Sequence, residues 1–142
     1  MRFWDSSAVV ALLAAGESRD RVGALLTDDP VMLVWWTTPV ECASAIARRE
    51  RDGSLSGAEA AAVLAQLDAL ASGWSEVIPS SHVRAMARRL LRVHPLRAAD
   101  ALQLAAAVIA SEHEPRSLDF VCLDDRLADA ATREGFRLPP IA

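Results

Sequence analysis

The chain has 142 residues, enough for one domain and too few for two of ordinary size. All 15 basic residues are arginine, which excludes chemistries that need a lysine amine, such as Schiff-base formation, Ser–Lys hydrolysis and P-loop nucleotide binding. The 19 acidic residues give a formal net charge of −4, and this is not the basic balance typical of a nucleic-acid-binding domain.

The cysteines and the apolar runs argue against a disulfide-rich, zinc-binding, secreted or membrane protein. Cys42 and Cys122 lie far apart, with no CxxC pair and no histidine at metal-ligand spacing, so neither a disulfide framework nor a structural zinc site is supported. The first residues lack the apolar run of a signal peptide, and the longest apolar run, 104–110, is far shorter than a membrane span. We therefore expect a cytoplasmic protein without a membrane segment.

The hydrophobic pattern predicts short buried strands that alternate with helices. In chain order these are a strand at 1–5, helices at 8–15 and 17–26, a strand at 31–36, helices from 38 to about 51 and from the capping box at 56–59 to 71, a strand at 74–78, helices from 79–81 to about 93 and at 96–111, a strand at 120–123, a helix at 126–134 and an extended segment at 136–141. This order predicts one α/β domain over residues 1–142, with a central parallel sheet of four to five strands and helices on both faces.

Three acidic residues lie at predicted junctions between a strand and the helix that follows it. Asp5 follows the first strand, Glu41 the second and Asp124 the last, and in a parallel sheet these junctions share one edge. Helix capping is an alternative for each of them. The run Thr38-Pro39-Val40-Glu41 matches a capping box, and Asp124 or its neighbour Asp125 is expected to cap the helix that follows.

Asp100 is a fourth candidate because it falls inside a predicted helix that is apolar nearly all round. Arg97 is its only local basic partner, and a buried carboxylate is costly unless it is paired, hydrogen-bonded or metal-bound. Four carboxylates close together repel one another, so they need a divalent cation or raised pKa values. Oxygen ligands without histidine or cysteine suit Mg²⁺ or Mn²⁺.

Four segments, in order along essentially the whole chain, together resemble a PIN domain. They are Asp5-Ser6-Ser7-Ala8, Pro39-Val40-Glu41, Ala99-Asp100-Ala101-Leu102-Gln103-Leu104-Ala105 and Phe120-Val121-Cys122-Leu123-Asp124-Asp125-Arg126-Leu127-Ala128. The small single-domain form is similar to the VapC toxins of type II toxin–antitoxin pairs. The sequence departs from the family pattern at Cys122, where Thr or Ser is usual, and Asp125 beside Asp124 leaves open which carboxylate faces a metal ion.

The resemblance implies a PIN-like three-layer α/β/α fold and a metal-dependent endoribonuclease. Its site residues would be Asp5, Glu41, Asp100 and Asp124, holding Mg²⁺, with Mn²⁺ as the alternative, directly or through water. Metal-activated water would hydrolyse RNA phosphodiester bonds, leaving a 5′-phosphate. The hydroxyl of Ser7 would have a minor orienting role, for which helix capping is an equal explanation.

The resemblance also implies protein partners. These are a cognate VapB-type antitoxin, whose C-terminal segment lies over the active site, and a second copy of the chain in a homodimer. The Ala-rich runs 8–15 and 57–71 carry small apolar surface that fits a partner, although packing inside the monomer explains it equally well.

An acid-free run of arginines precedes Asp100. Arg84, Arg88 and Arg92 share one helical face and Arg97 follows, so these four are candidates for contacts with RNA phosphates, with a solvated helix face as the alternative. Of the four tryptophans, Trp36 is the best candidate for exposure, and no histidine is assigned to catalysis.

Two other functions compete with a nuclease. A catalytically silent PIN fold that serves as a protein-interaction module has no need of the costly Asp100. A phosphatase with Asp5 as covalent nucleophile usually needs a second Asp two residues later, where Ser7 stands, and a lysine, which the chain lacks.

Overall fold

The computed structural model describes residues 1–141, so Ala142 of the expected 1–142 domain lies outside the described residues. These residues form four strands and seven α-helices. The strands are β1 (Arg2–Trp4), β2 (Met32–Trp35), β3 (Ser75–Val77) and β4 (Asp119–Val121). The helices are α1 (Ser6–Leu13), α2 (Glu17–Asp28), α3 (Thr38–Arg51), α4 (Gly57–Ala71), α5 (Ser81–Val93), α6 (Ala98–Ala110) and α7 (Asp125–Arg133), with a 3₁₀ turn at Pro115–Ser117.

The four strands form one parallel sheet in the order β3-β2-β1-β4. The first strand of the chain is therefore an inner strand, and Phe3 pairs with Leu33 on one side and with Phe120 on the other. Of the four to five strands expected, four are present in residues 1–141. The segment 136–141 adds only an isolated parallel bridge between Arg137 and Asp119.

Helices cover both faces of the sheet. Successive residues of a strand point to opposite faces, so the sheet contributes apolar side chains to two separate cores. Phe3 lies in one apolar core, which contains buried residues of α5, α6 and α7. Trp4 lies in the other, with buried residues of α1, α2, α3 and α4. The α/β class and the three-layer architecture predicted from the sequence are confirmed. Within residues 1–141, no helix is both long and apolar enough to cross a membrane.

Two helix starts differ from the prediction and both affect the candidate site. Helix α1 begins at Ser6 rather than at residue 8, because the Asp5 side chain accepts the hydrogen bond that caps it. Helix α6 begins at Ala98 rather than at 96, because Arg97 is still extended, with φ −80° and ψ 163°. Asp100 therefore lies in the first turn of α6 and is half-buried, so the expectation of a carboxylate deep inside an apolar helix was wrong.

Candidate active site

The four carboxylates predicted from the sequence line one cleft of about 300 Å³ at the carboxyl edge of the sheet. Asp5 follows β1, Glu41 lies in the first turn of α3, Asp100 in the first turn of α6, and Asp124 immediately before α7. The other lining residues are Ser6, Ser7, Val10 and Ala45. The fold thus brings together side chains from four segments of the chain that are far apart in sequence.

Asp5 lies at the bottom of the cleft, with only 2% of its surface exposed. Its Oδ2 accepts hydrogen bonds from the backbone N–H of Ser7, at 3.0 Å, and from the Ser7 hydroxyl. Burial raises the pKa of Asp5, against the lowering effect of the bonds from Ser7, and the charge of Asp100 raises it further. Asp5 is therefore both a helix cap and a cleft residue, so the two interpretations of this position are compatible.

Ser7 and Cys122 both contact the Asp5 carboxylate. The Ser7 hydroxyl accepts a hydrogen bond of 3.0 Å from the N–H of Leu123, which ties α1 to the segment after β4. The Cys122 Sγ lies 3.6 Å from Asp5 Oδ2 and 3.3 Å from the carbonyl oxygen of Asp124. A thiol therefore stands beside Asp5 where the PIN pattern has a hydroxyl. The hydroxyl of Ser7 bonds Asp5 directly, which is the contact that an orienting role requires.

Glu41 does not cap α3. The helix begins at Thr38, its N-cap residue Thr37 makes no side-chain capping bond, and Glu41 Oε2 accepts a hydrogen bond from the side-chain amide of Gln103. The capping-box interpretation is therefore wrong. Burial raises the pKa of Glu41 to about 7, against the bond from Gln103 and with a further contribution from the Asp5 charge.

Asp100 and Asp124 form the more open side of the cleft. Burial and the neighbouring Asp124 charge raise the pKa of Asp100, whereas the charges of Arg97 and Arg126 lower it. Asp124 is exposed, and its Oδ1 caps α7 by accepting a hydrogen bond of 2.9 Å from Leu127 N. The cleft is lined by Asp124, whereas Asp125 is the first residue of α7.

The four carboxylates share one feature, the lack of a salt bridge to any basic group in residues 1–141. Across the same residues, no three His, Cys, Asp or Glu side chains lie close enough together to hold a metal ion as they stand. The lining carboxylates nevertheless offer only oxygen donors and unneutralised charge, and such a donor set fits a hard divalent cation such as Mg²⁺ or Mn²⁺.

The arginine stripe, defined as Arg84, Arg88 and Arg92, lies on the exposed face of α5, opposite the buried Val83 and Leu90. None of the three lines the cleft as the structure describes it. The cations whose charge acts on the cleft are instead Arg97 and Arg126, through the pKa of Asp100. The sequence analysis did not single out Arg126.

An apolar groove lies among α1, α2, α3 and α4. It consists of two cavities of about 310 and 760 Å³. Val10 lines both the first cavity and the acidic cleft, so the groove adjoins the cleft. The main apolar residues of the groove are Val10, Leu12, Leu13, Leu26, Ile46, Leu55, Val63 and Leu70.

A second apolar feature lies at the carboxyl ends of β2 and β3. Trp36 is 53% exposed, and its backbone N–H bonds Val77 O at 3.1 Å, which places it beside the exposed Ile78. Val40, in the first turn of α3, is also exposed. The predicted exposure of Trp36 is confirmed, while Trp4 and Trp35 are buried in the core. We call Trp36, Val40 and Ile78 the Trp36 patch.

Comparisons with solved structures identify the fold. The chain is similar to chains of FitAcB from Neisseria gonorrhoeae (18% identity, 99% of this chain and 98% of that one, TM-score 0.68) and of FitAB bound to an IR36 DNA fragment (16%, 99% and 95%, 0.69). It is also similar to a chain of a toxin–antitoxin complex from Klebsiella pneumoniae (13%, 90% and 91%, 0.64). The fold is PIN-like. The sequence matches no protein-family model and has no significant match among curated proteins.

Proposed function

We propose that this chain is the toxin of a type II toxin–antitoxin pair, of the VapC kind, and acts as a metal-dependent endoribonuclease. The observation that carries the proposal is the cleft in which four carboxylates converge without a basic partner in residues 1–141. Support for a toxin role comes from the structural neighbours, one of which is described as a toxin–antitoxin complex. At these low identities the neighbours support the role through the shared fold alone.

The chain's own part in the reaction is to hold carboxylate oxygens in place. Asp5, Glu41, Asp100 and Asp124 would bind one or two Mg²⁺ or Mn²⁺ ions, directly or through water. When bound, such an ion activates water for attack on a phosphodiester and offsets charge on the leaving oxygen. Ser7 restrains Asp5 and Gln103 restrains Glu41, so that these two carboxylates need little reorganisation when the cation binds.

Asp100→Asn tests this function most directly. The purified wild-type protein should create new 5′-phosphate ends in cellular RNA with Mg²⁺ and none with EDTA, whereas Asp100→Asn should create none. Asp129→Asn is the matched control, because Asp129 is an exposed acid on α7 that pairs with Arg133, away from the cleft. Equal cleavage by wild type and Asp100→Asn would refute the site, and no cleavage by either would favour the silent interaction module.

The RNA backbone is proposed to contact the arginine stripe and Arg97. These guanidiniums are exposed, and none makes an ion pair within residues 1–141. Replacing Arg84, Arg88 and Arg92 together with Ala should weaken RNA binding and reduce its salt dependence, the log–log slope falling by about 0.7 for each phosphate that is no longer bound. A folded triple variant with wild-type binding at every salt concentration would dismiss the stripe.

Two protein partners complete the proposal. We propose that the C-terminal segment of a VapB-type antitoxin binds in the apolar groove, because the groove adjoins the cleft at Val10. Val63→Glu, in the groove, should relieve inhibition by an antitoxin that neutralises the wild-type protein while leaving RNA cleavage intact.

The Trp36 patch is proposed as a homodimer surface, and Trp36→Glu should then shift the protein from dimer to monomer in sedimentation experiments. A wild-type monomer would remove the dimer from the proposal.

A further inference from the structure

Gln103 is a polar side chain in the core of an apolar helix. Seven of the 13 residues of α6 are buried, and Gln103, at 1% exposed, is the polar one among them. Its Nε2 donates hydrogen bonds to Thr38 Oγ1, at 3.1 Å, and to Glu41 Oε2. Its Oε1 is buried and has no hydrogen-bond partner within residues 1–141.

Packing alone does not explain this residue. The unsatisfied amide oxygen destabilises the fold, whereas an apolar side chain of the same length would fill the same space and leave Thr38 Oγ1 and Glu41 Oε2 without this donor. Both hydrogen bonds that the amide donates go to the first turn of α3, where Glu41 lines the cleft. Gln103 also follows Asp100 by three residues, so one face of α6 carries a cleft carboxylate and the group that holds another.

We propose that Gln103 is a positioning residue for Glu41. Its amide N–H groups hold the Glu41 carboxylate and the Thr38 hydroxyl at once, so that Glu41 is presented to the cleft in one orientation. The amide acts through Glu41 and touches neither RNA nor cation. This inference rests on the proposed function, since it assigns Glu41 to a cation site.

The variant that isolates this role is Gln103→Met, which keeps the length of the side chain and removes the donor. We expect Gln103→Met to raise the Kd for Mn²⁺, measured by electron paramagnetic resonance, by about 10-fold or more. Loss of the unsatisfied Oε1 stabilises the variant and loss of the donor to the buried Thr38 destabilises it, so its melting temperature should stay close to that of the wild type. Ser111→Ala is the matched control, because Ser111 is a buried hydroxyl next to the other end of α6 and bonds only Val108 O among the described residues.

A double-mutant cycle separates positioning from a general structural effect. If Gln103 acts through Glu41, then Gln103→Met should have no further effect on the Mn²⁺ Kd in a Glu41→Ala background. The same loss in both backgrounds, or a Gln103→Met protein that binds Mn²⁺ like the wild type, would overturn the proposal. Should Gln103→Met not fold, Gln103→Leu, which also lacks the donor, replaces it in both measurements.

The failure of this inference can be told apart from failure of the proposed function. A wild-type protein that binds Mn²⁺ and cleaves RNA while Gln103→Met does both equally well overturns only the role of Gln103. A wild-type protein that neither binds Mn²⁺ nor cleaves RNA overturns the nuclease, and the role of Gln103 with it.

Discussion

The two edges of the sheet carry carboxylates in opposite electrostatic settings. At the amino edge, Arg2 pairs with Asp28 at 2.6 Å, Arg137 pairs with Asp119 at 2.9 Å, and the amino group of Met1 bonds Asp29. The bond from that amino group lowers the pKa of Asp29. Every carboxylate in this cluster is neutralised by a group that the chain itself supplies.

At the carboxyl edge, the chain supplies no such partner among residues 1–141. Burial raises the pKa values of Asp5, Glu41 and Asp100 above their usual range, and the charge of a neighbouring cleft carboxylate raises each of them further. Arg97 and Arg126 act on Asp100 from outside the cleft without forming ion pairs. The carboxylates at the amino edge of the sheet thus form ion pairs within the chain, whereas those at the carboxyl edge remain available to bind a cationic ligand.

The largest expected effect is at the carboxyl edge. Asp5→Asn should lower RNA cleavage by at least about 100-fold, because the amide loses the charge that a divalent cation needs. The same amide can still accept the capping bond from Ser7, so the melting temperature should not fall. Cleavage assays and thermal melts on one preparation measure both. Retained cleavage, or an equal loss of stability and cleavage, would remove the contrast between the two edges.

The matched change at the amino edge should affect stability alone. Asp119→Asn removes the ion pairs with Arg2 and Arg137, and we expect a loss of about 1 kcal/mol in the free energy of unfolding. Urea denaturation measures the loss, and RNA cleavage below the transition should equal that of the wild type. A drop in cleavage by the folded variant would mean that the two edges are coupled.

The smallest expected effect is on the pH dependence of stability. Because the folded pKa of Glu41, about 7, lies above its ordinary value of 4.5, this group's stabilising contribution is complete below pH 4.5 and lost as the pH rises through about 7. In EDTA, the free energy of unfolding of the wild type should therefore decrease across this window more than that of Glu41→Gln. The lowered pKa of Asp29 has the opposite sign, and its contribution is lost as the pH falls below 3.8. Identical pH profiles for the two proteins would contradict the assignment.

The alternation of apolar runs was sufficient to predict the layers and the parallel sheet, and the placement of the acids together with the resemblance to a PIN domain predicted the four carboxylates that line the cleft. Neither was sufficient for details that depend on how helices meet. Thr38 and Glu41 match a capping box in sequence, but in the structure both accept hydrogen bonds from Gln103, a residue 62 or more positions away. Sequence spacing cannot show such a contact. A polar residue at a buried position of α6 was the one signal that could have led to it.

The arginines show the same limit. Their spacing correctly places Arg84, Arg88 and Arg92 on one exposed face of α5. The direction of that face relative to the cleft depends on how α5 packs on α6, which the pattern of a single helix does not contain. Arg126 was missed because it is far from Asp100 in the sequence, and only the packing of α7 brings its charge close enough to lower the pKa of Asp100.

The strand order also determines when the site can exist during synthesis. The first strand, β1, pairs with β4, so this part of the sheet cannot form until Phe120, the partner of Phe3, has left the ribosome. A nascent chain shorter than 124 residues contains at most three of the four cleft carboxylates, and the pairing that brings Asp124 beside Asp5 joins residues far apart in the chain, which is slow. Partly made chains therefore carry an incomplete site, and the cleft is completed only after Asp124 has left the ribosome.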